Sequence, residues 1–561
     1  MCGLFGAWGW PELNTTAALK ALQSRGPDDQ GELVDPCGLT LLHTRLAIQD
    51  LSPLGHQPML TSDQSLAVVF NGEIYNQQQL RTELQNNGYR FRSHSDTEVL
   101  LHGFRHWGQT LWPKLEGIFA VAFWEPQQRQ LTLARDRFGV KPLLWRRDPQ
   151  QLAFASELSA LLASGCCSSG DLNQKAIESY LLWGSVAAPH TLINRVQVFP
   201  AGHWASCRLG ESWQLGRFST SDRPHPTIEL NLAEATEQTR VALQQAVQRQ
   251  SIGDRAVGLY LSGGIDSGLL AAELRRQHQG PIHSVSVGFE DLAGAVDESD
   301  LAATTANHLR LTHQRVAIGP LQLEQSFDGF LEAIDQPSID GFNTHLVTRA
   351  ARAQGMVVAF SGLGADELFG GYSHMQEGPI EQQLQARRIK LNGLDSPRLK
   401  LLEQERSKGC PQQLTLSDCS KLELRGYMHD TLLHDSDAVT MAQGLELRVP
   451  FLDSELVDLA LSIPAKVHRG QGPKTLLRRL AKEQLPVEVL NAPKRGFNLA
   501  LAPWITQNPR FSPSRIWQLL KQQPLHLSRR SFWGSWLLLL LSGRYKPYWR
   551  YVVLAEWLAQ W

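Results

Sequence analysis

Apolar residues bunch into short runs along the second part of the chain: Ala256 to Tyr260, Pro281 to Phe289, Gln314 to Ile318 and Met356 to Phe360. Such runs predict buried strands. Between them, Ala233 to Gln250, the segment opening at Gly268, and the stretch from Asp297 to about Leu309 carry helical patterns, the last behind an Asp297-Glu298-Ser299-Asp300 cap. Strands alternating with helices predict a parallel α/β sheet, with ligands at the carboxyl ends of its strands. Earlier, His43 to Ile48 alternates like a strand and Val68-Val69-Phe70 reads as a buried one. Ser93 to Glu98 opens a helix with Asp96 near its N-terminus. From Arg208 to Leu232 the text turns polar, rich in Gly, Ser, Thr and Pro. This predicts a domain over 1–207, a linker over 208–232 and a second domain over 233–561. A chain of 561 residues is in any case too long for one core. The longest apolar run, Trp536 to Leu541, falls far short of the roughly 20 residues of a membrane span and reads as a core helix segment.

Composition adds exclusions. A net charge of -1 gives no ground for a nucleic-acid or anionic-membrane partner. Seven scattered cysteines, with no C-x-x-C pair, suit neither a disulfide framework nor a zinc site and predict a reducing, cytoplasmic setting. The segment behind Met1 has no basic stretch, so it does not read as a signal peptide.

Two stretches carry chemistry. Leu261-Ser262-Gly263-Gly264-Ile265-Asp266-Ser267 sits between a predicted strand and a helix start. Gly263 and Gly264 let backbone approach a ligand, Ser262 and Ser267 add hydroxyls, and the helix start attracts an anion. Asp266 would repel bare phosphate, but fits if a divalent metal stands between them. The stretch resembles the SGGxDS loop of ATP pyrophosphatases, and it lacks the Gly-Lys-Ser/Thr ending of a Walker A loop. The second stretch is Cys2-Gly3-Leu4-Phe5-Gly6. Loss of Met1 would leave Cys2 N-terminal, with a thiol nucleophile and its own α-amino group as base.

Behind Cys2 come Arg25-Gly26-Pro27-Asp28, His43 to Ile48, Asn71-Gly72-Glu73-Ile74-Tyr75-Asn76, Ser93 to Glu98, Leu115 to Ala120, Ala134 to Leu143 and Phe154 to Glu157. In this order they resemble the class II glutamine amidotransferase domain, an N-terminal-nucleophile hydrolase with an α/β/β/α sandwich. The resemblance implies that Cys2 attacks the glutamine amide, with Asn71 and the Gly72 N–H as oxyanion hole. Arg45 would hold the α-carboxylate, and Asp96, helped by Glu73, the α-ammonium. Further on, Ser361-Gly362-Leu363-Gly364-Ala365-Asp366-Glu367, Met441 to Asp453, Gly472-Pro473-Lys474-Thr475 and Pro493 to Phe497 resemble the asparagine synthetase superfamily, up to about Ile505. This implies a parallel-sheet ATP pyrophosphatase (adenine nucleotide α-hydrolase-like) domain. ATP would contact Leu261, Ser262, Gly263, Gly264, Asp266, Ser267, Val287, Ser361 and Gly362. Asp266 and Asp366 would hold Mg2+, and Lys474 would steady the α-phosphate.

The resemblance as a whole implies a multidomain α/β enzyme. It would hydrolyse glutamine, adenylate a carboxylate at the expense of ATP, and pass ammonia through a sheltered interdomain tunnel to make an amide. Aspartate is the acceptor expected from the family, and a homodimer is compatible with it. Two places depart: the segment Asp335 to Thr344 looks more like divergent relatives than like the best-known asparagine synthetases, and one position of the Ser361 loop differs outright. Where asparagine synthetases commonly carry Glu, and β-lactam synthetases Tyr, this chain has Leu363, which can neither take a proton nor accept a hydrogen bond. That keeps two alternatives in view: another carboxylate, such as a cell-envelope or secondary metabolite, or a glutaminase or regulatory protein whose synthetase half has decayed. A β-lactam-forming cyclase is disfavoured, since it needs no ammonia and this chain keeps the whole glutaminase set.

Overall fold

The computed structural model describes residues 2–219, 225–290, 297–389, 396–470, 472–493, 499 and 501–560. Two antiparallel six-stranded sheets form the first domain. One runs Val196–Val198, Leu144–Asp148, Gln151–Ala155, Cys2–Trp8, Thr40–Arg45, Asp29–Val34. The other runs Gln214–Arg217, His203–Arg208, Gln130–Arg135, Gly117–Glu125, Ala67–Ile74, Met59–Leu60. Side-chain alternation sorts these strands into layers. Leu4, Ala67 and Val69 meet between the sheets. Phe5 and Ala7 face the helices Thr15–Leu22 and Leu158–Ala163. Val68, Phe70 and Ile74 pack under Gln77–Asn86 and Asp96–Trp107. The result is the expected α/β/β/α sandwich.

The strand read as Val68 to Phe70 in fact continues through Ile74, with Asn71 opposite Ala120 and Gly72 opposite Phe119. A Cβ on Gly72 would collide with the Ile118 carbonyl, so glycine is what allows the pairing to continue. The polar stretch expected as linker also contains structure. Gln214–Arg217 adds an edge strand to the second sheet, and its mostly exposed side chains explain why composition alone suggests a linker. Within that stretch, residues 220–224 lie outside the described part.

The second domain holds a five-stranded parallel sheet in the order Thr312–Ile318, His283–Phe289, Val257–Tyr260, Val358–Phe360, Glu446–Arg448. Chain order reverses between Val257–Tyr260 and Val358–Phe360, and a crevice opens at such a switch point beyond the carboxyl ends of the strands. The fifth strand does not look like one in sequence, because two of its three residues are charged. Glu446 and Arg448 are nevertheless fully buried, each neutralising the other. The helix after Tyr260 begins at Ile265, capped by Gly264, three residues earlier than its pattern suggests, so Asp266 and Ser267 lie in its first turn.

The C-terminal helices Pro513–Lys521, Arg529–Ser542 and Lys546–Leu558 close the domain. Trp549, Trp504 and Phe511 form an aromatic cluster there around Phe327. The run Trp536 to Leu541 is helical but is not core. Leu539 is buried, whereas Leu537, Leu540 and Leu541 point outward. No helix among the described residues is long and apolar enough to cross a membrane.

Candidate active sites

Cys2 opens the central strand of the first sheet, in register with Arg45. Its backbone N–H donates to Asn71 Oδ1 at 3.0 Å, and its carbonyl accepts from Arg25 Nε at 3.1 Å. Burial pushes its thiol above the usual range. Asn71 is fully buried, and its Nδ2 finds no acceptor among the described residues. A buried amide donor left open beside a thiol is the arrangement an oxyanion would fill. Arg45 has no carboxylate partner among the described residues. Its guanidinium donates to the carbonyls of Ser52, Gln49 and Asp50, packed where a side chain at Gly55 would collide with it. Backbone carbonyls thus fix the fork. Asp96 begins the Asp96–Trp107 helix and accepts the Ile74 N–H at 3.0 Å. The sequence therefore names residues that fold together here. Met1 and the proposed loss of that residue lie outside the described part.

Glu73 behaves differently from its neighbours. Burial, then Glu446, pushes its carboxyl well above the usual range. It accepts from Gln49 Nε2 and lies 3.5 Å from Arg448 Nη2, in the second domain. It thus links the first domain's Gln49 to Arg448 of the second domain. Arg448 in turn gives its carbonyl to the Ser361 N–H at 3.0 Å.

A second buried network crosses the interface. Arg25 pairs with Glu157 and Asp437, each at 2.7 Å, and Lys141 reaches Asp437 at 3.0 Å. Against the upward push of burial, Arg25 and Lys141 hold Asp437 below the usual carboxylate range. Asp437 carries no motif in the sequence, and the block Met441 to Asp453 holds Glu446 and Arg448 without showing that they pair.

Burial pushes the Asp96 carboxyl up to about 6. The folded chain therefore keeps a proton that the unfolded chain has already released between about pH 4 and pH 6, and stability falls as pH rises through that window. Asp96→Asn removes the penalty and keeps the acceptor for Ile74. We expect the variant to match the parent below about pH 4 and to gain up to roughly 3 kcal/mol above about pH 6, read as a melting-temperature gap that opens with pH.

The switch-point crevice is a cavity of about 720 Å³. On one side, Ser262 and Ser267 lock the loop: the Ser262 N–H donates to Ser267 Oγ at 3.0 Å, and the two hydroxyls lie 2.9 Å apart. Leu261, Gly263, Gly264 and Val287 also line it. On the other side Ser361, Gly362 and Leu363 enter from the Val358–Phe360 strand. Between the loops stands Lys474, its Nζ 2.5 Å from Asp266 Oδ2 and 2.6 Å from Asp366 Oδ1. Its backbone is left-handed at φ 55°, and a side chain at Gly371 would collide with both Asp366 and Lys474. Burial favours neutral Lys474, but the two carboxylates hold its pKa above the ordinary value. Two carboxylates, Asp266 and Asp366, gathered at a helix start are the oxygen donors that would hold Mg2+ here. Of the late family block Pro493 to Phe497, residues 494–497 lie outside the described part.

The far wall is lined by Asp340, Tyr372, Tyr427 and Lys546. Tyr427 Oη donates to Asp340 Oδ2 at 2.8 Å, and Lys546 Nζ, from the last helix, lies 3.5 Å from Asp340 Oδ1. Tyr372 donates to Glu367 at 2.6 Å, and burial with Asp366 pushes Glu367 up to about 7. Arg387 stacks on Tyr372 and Tyr427 at 4.3 and 4.0 Å, bracing this wall from behind. Leu363, Val347 and Leu432 add apolar surface beside the polar Asn343, Thr344, Asp435 and Ser436.

Comparison with known proteins matches both halves. The glutamine amidotransferase domain family fits residues 1–215, and the asparagine synthase family fits residues 238–532. Asparagine synthetase [glutamine-hydrolyzing] 1 of Bacillus subtilis is 30% identical over 90% of this chain and 88% of its own. A second B. subtilis protein, asparagine synthetase [glutamine-hydrolyzing] 3, is 28% identical over 85% of this chain and 82% of its own. The amidase chry2 of Gibberella zeae is 29% identical over 66% of this chain and 57% of its own.

Proposed function

The chain belongs to the asparagine synthase family and is an ATP-dependent, glutamine-hydrolysing ligase, and from that premise we propose that its acceptor is aspartate, amidated through an acyl-adenylate. The observation that carries the acceptor is the Asp340–Lys546 pair, 3.5 Å apart on the cavity wall. It offers an anion to an α-ammonium and a cation to an α-carboxylate, which leaves the side-chain carboxylate to meet ATP. That carboxylate attacks the α-phosphorus, pyrophosphate leaves, and ammonia then displaces AMP at the acyl carbon. Lys474 spreads the charge that builds on the α-phosphate in the first step. Asp266 and Asp366 would hold Mg2+, which would neutralise the polyphosphate.

In the first domain, the Cys2 thiol adds to the glutamine amide carbon. Asn71 Nδ2 and the Gly72 N–H receive the oxyanion, and the amide nitrogen leaves as ammonia after taking the thiol proton through the α-amino group. Water then releases glutamate from the thioester. Ammonia must cross unprotonated, and the buried Arg25–Asp437–Lys141 layer between the sites supports a sheltered path.

Leu363 favours a second reading, with a different carboxylate as substrate. The deciding experiment is asparagine formation from aspartate, glutamine and Mg-ATP, followed by chromatography for the parent, Leu363→Glu and Lys546→Ala. The aspartate reading predicts asparagine from the parent, and a KM for aspartate raised about tenfold by Lys546→Ala as one charge-assisted contact is lost. It allows Leu363→Glu to raise the rate, less the several kcal/mol that an unpaired buried carboxylate costs. Pyrophosphate release on some other carboxylate, with no asparagine from any of the three proteins, would establish the second reading.

A further inference from the structure

The near-neutral total charge conceals a strong asymmetry. Residues 489–555 contain no Asp or Glu and ten Lys or Arg, in a chain whose totals are 54 Lys and Arg against 55 Asp and Glu. Some of these cations are used internally. Arg510 and Arg515 pair with Glu556, Lys546 faces Asp340, and buried Arg550 donates to the Leu181 carbonyl. Lys521, Arg529, Arg530 and Arg544 make no ion pair among the described residues, and all four are exposed.

Three of these four flank one helix. In Arg529–Ser542, the inward face is Ser531, Phe532, Ser535 and Leu539. The outward face carries Trp533, Leu537, Leu540 and Leu541, exposed by 37, 54, 54 and 77%. At about 100° per residue these four, with Arg529 and Arg530, fall within one arc of roughly 120°. Gly543 ends the helix in a left-handed turn, and Arg544 follows. An apolar stripe is thus bracketed by arginines at both ends.

We propose that this helix docks the enzyme on an anionic lipid surface, lying in the interface plane rather than crossing it. The stripe would sink among acyl chains while Arg529, Arg530 and Arg544 meet lipid phosphates. A second copy of the chain fits poorly. Both ends of the stripe are cationic, so parallel and antiparallel pairing alike set arginine against arginine. Nucleic acid would take the arginines but offers no apolar sink for three leucines. The sequence-based expectation of no membrane partner rests on net charge, which averages this segment away.

The test is co-sedimentation of the full-length protein with vesicles. One set is phosphatidylcholine alone; the other is two parts phosphatidylcholine to one part phosphatidylglycerol. The proposal predicts binding to the anionic vesicles that weakens with salt, and much less binding to the neutral ones. Each arginine near the surface is worth about fivefold, so Arg529→Glu with Arg530→Glu should cost at least about twenty-fivefold. Leu537→Glu with Leu541→Glu, at exposed positions, should cost at least about tenfold while pyrophosphate release in solution is unchanged. Absence of anionic-vesicle binding, or binding that both double variants retain, overturns the proposal. So does a dimer in sedimentation velocity that the leucine variant dissociates, or capture by RNA without capture by vesicles.

Discussion

Cys2→Ala should abolish synthesis supported by glutamine, by about a thousandfold or more, and leave synthesis from added ammonium at the parent rate. The size of the loss follows from the chemistry. Without the thiol no thioester forms, and the open Asn71 donor can only polarise an amide that water attacks unaided. The selectivity follows from the fold. Cys2 belongs to the antiparallel sandwich, whereas the switch-point cavity lies at the edge of a separate parallel sheet. Replacing a small buried thiol by a methyl group leaves the strand pairing with Thr40–Arg45 and the bond from the residue 2 N–H to Asn71 in place. A structural defect would lower both activities together, so the ratio of glutamine-supported to ammonium-supported rates is the reading that matters. Mass spectrometry of the active protein should also find residue 2 at the N-terminus. Full activity with Met1 retained would remove the α-amino group as base.

Asp266→Asn and Asp366→Asn should each lower pyrophosphate release by about a hundredfold or more and spare glutamine hydrolysis. Each substitution keeps shape and hydrogen-bonding capacity but removes one of two charges gathered within 2.6 Å of the Lys474 ammonium. Lys474 is only 5% exposed, so the remaining carboxylate must balance a buried cation alone. The site then has one anion for a lysine and a metal together. Raising Mg2+ should recover part of the rate if the carboxylates hold metal, and none of it if they only position Lys474. Unchanged pyrophosphate release from both variants would remove these residues from the site.

What could be read in advance, and what could not, follows from how charge is buried. The strands Val257–Tyr260 and Val358–Phe360 are apolar runs beside Gly/Ser loops, and both the sheet and its crevice follow from that pattern. Cys2, Arg45, Asn71 and Asp96 are separated in sequence but occur as short blocks whose order carries the resemblance. Glu446–Arg448 is illegible as a strand, because its two charges are buried against each other and, for Arg448, against Glu73 and the carbonyls of Gln250 and Ile252. Asp437 is hidden for the same reason, since its partners Arg25 and Lys141 come from another domain. Lys546 could not be assigned to the site from a Trp- and Leu-rich segment. Its place depends on how the last helix packs. The run Trp536 to Leu541 misled in the opposite sense: consecutive apolar residues on a helix point all round it, and only part of that circumference meets the core.

The most direct test of the coupling between the two sites uses glutamine labelled with 15N in its side-chain amide, together with aspartate, Mg-ATP and a large excess of unlabelled ammonium. Ammonia carried inside the protein predicts asparagine whose amide nitrogen is predominantly 15N, formed with one AMP for each amide. Ammonia released to solvent would give asparagine diluted to the isotope ratio of the medium. Glutamate and AMP accumulating with no 15N in any amide would contradict the account outright.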